Sequence, residues 1–115
     1  MRIPSMPTEI VVGTQTYKVV LRNPKEDGML NDGSYGYTMD AGLTIVIDAS
    51  ISASKQRVTF VHELLHAIQM TFGGATKPGK DAEFEEWEHY FISSYEEALL
   101  IVMKDNPALV KYLSA

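Results

Sequence analysis

Val61-His62-Glu63-Leu64-Leu65-His66-Ala67 is the stretch on which the reading of this chain turns. Val58, Val61, Leu65, Ile68 and Phe72 recur around it at helical spacing, which predicts a helix with those residues on its core face. Ser52 is a good N-cap for that helix, and Gly73-Gly74 ends it. His62 and His66 then lie one turn apart on one flank, in line with Thr59 and Gln69, so both imidazoles can converge on one ion. Zn²⁺ suits imidazole ligands and takes a third protein ligand when it does chemistry. Glu63 is placed to take a proton from water activated by such an ion.

Outward from this helix, the preceding half of the chain reads as strands. Glu9–Val12 and Thr16–Leu21 flank a turn at Gly13-Thr14-Gln15. Ser34–Met39 and Leu43–Asp48 flank Asp40-Ala41-Gly42 as a second hairpin. The run Leu43–Asp48 is the most apolar and is expected to sit centrally, with the Tyr35/Tyr37 strand, broken by Gly36, at an edge. Between the hairpins, residues 22–33 are rich in turn signals and predict an exposed, irregular connection.

After the metal-type helix, Asp81 is the expected N-cap of a second long helix with the stripe Phe84, Trp87, Phe91, Tyr95, Ala98, Leu99 and Val102. Asn106-Pro107 stops it and starts a short last helix. On this wheel Glu88 falls within the apolar stripe. A carboxylate there is costly unless paired or bound to a cation, which makes Glu88 the expected third ligand beside His62 and His66. Glu85 and His89 are the alternatives. The fold class is therefore α+β: a small sheet of three to four mostly antiparallel strands, two long packed helices and a short C-terminal helix.

The 115 residues predict a single domain, 1–115. Apolar content of 45% and charged content of 22% are ordinary for a soluble globular protein. A net charge of −5 excludes a broad basic surface for nucleic acid. Cysteine is absent, so disulfides and thiolate metal sites are excluded and a cytoplasmic location is expected. No run of about 18 apolar residues exists to span a membrane, and residues 1–5 lack the apolar core of a signal peptide.

The block His62-Glu63-Leu64-Leu65-His66-Ala67-Ile68, together with Glu88-His89-x-Phe91-Ile92, Leu99 and Lys104-Asp105-Asn106-Pro107-x-Leu109-Val110, resembles the compact zincin metallopeptidases of bacteria and phages, related to the gluzincins. The likeness runs from about Thr8 onward. It implies a minimal zincin-like fold, Zn²⁺ held by His62, His66 and Glu88, Glu63 as general base, and a peptide or protein substrate. An alternative is a zinc-binding domain of this shape with little proteolysis. The further donor that an oxyanion needs is left open among His89, Tyr95, Tyr35 and Tyr37.

Overall fold

A computed structural model of the chain describes residues 5–30, 33–73 and 76–115. The turn signals at 31–32, and Gly74 and Ala75 after the first long helix, lie outside the described residues. The expected α+β architecture is present. Strands β1 (Glu9–Val12) and β2 (Gln15–Arg22) form the first hairpin, antiparallel, with Ile10 opposite Tyr17. Strands β3 (Gly36–Met39) and β4 (Thr44–Asp48) form the second, with Thr38 opposite Ile45. The hairpins join through a parallel pairing of β2 with β4, giving the order β1-β2-β4-β3. β4 is thus central and β3 is an edge, as the apolarity of the one and the glycine of the other predict.

Alternation along the strands sends Ile10, Val12, Tyr17, Val19, Ile45 and Ile47 to one buried cluster. Helix α1 (Ala53–Phe72) lies against it, with the Ser52 hydroxyl accepting from the Lys55 N–H at its start. Phe60, Leu64, Ala67 and Ile68 face the sheet. The expected core face is therefore corrected: Ile68 belongs to it, whereas Val58 is 71% exposed and Val61 and Phe72 are also exposed. The helix carries two overlapping apolar stripes. The one that wins brings Ala67 close to the strands and buries Phe60 completely, a gain of roughly 1.5–3 kcal/mol for that side chain.

Helix α2 (Phe84–Asp105) starts two residues later than expected. Glu83 is its N-cap, and the Glu83 N–H donates to Glu86 Oε2 at 3.1 Å. Tyr90, Ser94, Ala98 and Val102 point inward. The expected stripe holds at Ala98 and Val102 and fails at Phe84 and Phe91, which are 75% and 50% exposed. Helix α3 (Pro107–Leu113) follows with Pro107 at its first position and adds Leu109 and Tyr112 to the core.

Two connections set the edges of the sheet. The Asn106 amide accepts from the Val11 N–H at 2.8 Å and donates to the Val11 carbonyl at 2.7 Å. It behaves as one more residue of strand, covering part of the β1 edge. On the far side, the segment between β2 and β3 is less exposed than its turn signals predict. Asp27 and Leu30 are buried, and Asp27 accepts from the Tyr37 hydroxyl at 2.6 Å. That hydroxyl, with help from the Met29 N–H and the Arg22 guanidinium, holds the Asp27 carboxyl below its ordinary range. β3 is thereby fastened from behind, with its other face toward α1.

Candidate metal centre

His62 and His66 stand together on the outer side of α1. Their Nε2 atoms are 3.2 Å apart, and the rings meet edge to face with an interplanar angle of 70°. Two nitrogens each roughly 2.0–2.1 Å from a tetrahedral zinc are about 3.3 Å apart, so the pair is set close to the bite of one ion. Without an ion, the same spacing lets one neutral ring donate its N–H to the other. The His62 side chain is 68% exposed, so the pair opens to solvent.

Glu63 turns the opposite way. It is buried against β3, and its Oε1 accepts from the Thr38 hydroxyl at 2.8 Å. Oε2 is left 3.9 Å from His62 Nε2. Gly36 makes this closeness possible. A Cβ there would sit 2.8 Å from Thr59 Cγ2, 2.8 Å from the Val46 carbonyl oxygen and 3.3 Å from Glu63 Cγ. A cavity of about 290 Å³ opens beside the pair, lined by Ser34, Tyr35, Gly36, Val58, Thr59, His62 and Glu63.

The structure does not bring Glu88 to the imidazoles. It is exposed, and its side chain makes no hydrogen bond or ion pair among the described residues. No group of three His, Cys, Asp or Glu side chains among the described residues is arranged to hold a metal ion. Contacts between the helices explain why. Gln69 donates to the Tyr90 hydroxyl at 3.2 Å and accepts from the Tyr95 hydroxyl at 3.0 Å. Val61 and Leu64 share an apolar groove with Leu99, Val102 and Met103. The helices therefore run antiparallel, with His62 and His66 level with the middle and later turns of α2. By helical spacing Glu88 falls on the same row of α2 as Ile92, Tyr95 and Leu99, beside the face that carries the buried Tyr90, Ser94, Ala98 and Val102. It lies two turns before Tyr95, about 10 Å along the axis, toward the end of α1. Its expected place in the core is corrected accordingly: Glu88 is exposed, and the inward residues of α2 are Tyr90, Ser94, Ala98 and Val102.

The alternatives Glu85 and His89 line a different cavity, of about 540 Å³, with Thr76, Lys77 and Pro78. Among the oxyanion candidates, the Tyr37 hydroxyl is committed to Asp27 and the Tyr95 hydroxyl to Gln69. Burial pushes the Tyr95 phenol up, with the adjacent Tyr90 adding to it. Tyr35 alone of the four lines the cavity shared by His62 and Glu63, with the Lys55 ammonium 5.0 Å from its ring centroid. No motif announces Thr38 or Tyr90, and Gln69 is marked in the sequence only by its line with the two imidazoles. For Thr38 the signal is its place two residues after Gly36, on the same face of an edge strand.

The imidazole pair and the buried carboxylate beside it suit zinc by donor type and spacing, and the third protein ligand is the part that the described conformation leaves apart. Searches of protein-family models, of curated proteins and of solved structures find no match to this chain.

Proposed function

We propose that this chain is a zinc-dependent metallopeptidase in which His62 and His66 hold the ion and Glu63 is the general base. The observation that carries the proposal is the 3.2 Å separation of the two Nε2 atoms, with the Glu63 carboxylate 3.9 Å from one of them. Bound there, zinc would lower the pKa of water and polarise a substrate carbonyl. Glu63 takes the water's proton at Oε2 and delivers it to the leaving amine. Thr38 occupies Oε1, and the Tyr35 phenol is the donor best placed toward an oxyanion in the adjoining cavity. An extended peptide adds to the edge of β3, which runs alongside this cavity. Glu88 is the proposed third ligand, as the α2 carboxylate on the helical row of Tyr95, whose hydroxyl reaches Gln69 of α1. Its part requires the start of α2 to draw toward His66 when the ion binds.

The stand-off of Glu88 favours a second reading, a zinc-holding domain with little hydrolysis that engages a partner through the same cleft. Mass-spectrometric analysis of a mixed peptide library separates the two. The zinc-loaded protein is expected to cleave it, to stop after chelation and to resume when zinc is restored. A library left intact by protein carrying one zinc per chain would select the second reading.

A further inference from the structure

We infer that Thr38 is a positioning residue for Glu63, holding one carboxylate oxygen so that the other faces the imidazole pair. The inference rests on the reading of Glu63 as general base. Glu63 is buried, and the Thr38 hydroxyl is the one donor to its carboxylate among the described residues, at 2.8 Å to Oε1. The same hydroxyl lies 3.2 Å from the Glu63 backbone carbonyl, so it meets both ends of the residue. A carboxylate turns freely about its last bond unless an oxygen is fixed. With Oε1 engaged, Oε2 is the oxygen presented to His62. The anchor is itself rigid. Thr38 is registered against Ile45 of the central strand, and Gly36, two residues earlier on the same face, lets β3 approach α1 at Glu63. Gly36 itself lies against the Glu63 stem, where a Cβ would fall 3.3 Å from Glu63 Cγ.

Thr38→Val keeps the shape and removes the hydroxyl, and Thr38→Ser keeps the hydroxyl. In the metal-free protein, the carboxyl ¹³C resonance of Glu63 is expected to move in Thr38→Val and to return to its wild-type position in Thr38→Ser. In the zinc-loaded protein, Thr38→Val is expected to lower kcat by on the order of tenfold to a hundredfold, with KM and zinc affinity within about threefold. Thr38→Ser should recover most of kcat. An unmoved resonance in Thr38→Val overturns the inference whatever the activity, as does a Ser variant as impaired as the Val variant. If the resonance behaves as expected but wild type cleaves no peptide, the anchoring stands and the general-base reading falls. Should Thr38→Val fail to fold, Thr38→Ala gives the same comparison with Thr38→Ser.

Discussion

Glu63→Gln is expected to lower kcat by about 10²- to 10⁴-fold while the protein keeps its zinc and its fold. The amide matches the carboxylate in shape, and its oxygen still accepts from Thr38. What it loses is the capacity to take a proton. Ligand geometry at His62 and His66 is untouched, so KM and zinc content should stay near wild type. The substitution also removes a buried charge that has one hydrogen-bond donor among the described residues. Such a charge is costly to bury, so the variant should melt at or above the wild-type temperature. Steady-state kinetics beside a melting curve reads both effects. Equal hydrolysis by wild type and variant would remove Glu63 from the chemistry.

The second large effect is expected from Gly36→Ala. The added methyl meets the Val46 carbonyl oxygen and Thr59 Cγ2, both at 2.8 Å, and neither contact is relieved by moving a flexible side chain end. β3 has to back away from α1. Overpacking of this kind costs about 1–3 kcal/mol, and two simultaneous clashes place this site at the upper end. Because Thr38 rides on the same strand, the displacement also loosens the hold on Glu63. A further fall in kcat of on the order of a hundredfold is expected, from misplacement without loss of any reacting group. Thermal denaturation and kinetics on the same sample check this; a variant as stable and as active as wild type would show that β3 does not splint the base.

Much of this arrangement is legible in the sequence. Ser52 and Gly73 bracket α1, Asn106-Pro107 divides α2 from α3, and the two hairpins follow from β-branched runs around turns. These features are local, and local chemistry decides them. The rotation of α1 is not local. Val58, Val61 and Leu65 compete with Phe60, Leu64 and Ala67 for the sheet, and only the packed strands choose between them. The parallel pairing of β2 with β4 likewise depends on how two separately legible hairpins meet. Asn106 marks a helix boundary in the sequence, yet its further work, bonding the β1 backbone at Val11, is visible only in three dimensions.

The same distinction runs through the candidate site. His62, Glu63 and His66 are close in sequence and on one helix, so their mutual geometry follows from helical spacing alone. Glu88 is on another helix. A wheel gives its row but neither its burial nor its height, and both depend on how α2 docks along α1. The Gln69 contacts with Tyr90 and Tyr95 set that docking, and Glu88, two turns before Tyr95, is exposed. Thr38 is invisible to motif reading because a threonine in a strand is ordinary, and its meaning comes from the buried Glu63 carboxylate it touches.

Zinc titration of the metal-free protein, followed calorimetrically for wild type, His62→Ala and Glu88→Ala, reaches the heart of the proposal. One ion per wild-type chain is predicted, with binding abolished in His62→Ala and weakened at least about tenfold in Glu88→Ala. A wild-type chain that takes up no zinc, or a His62→Ala chain that binds it as tightly as wild type, would contradict it.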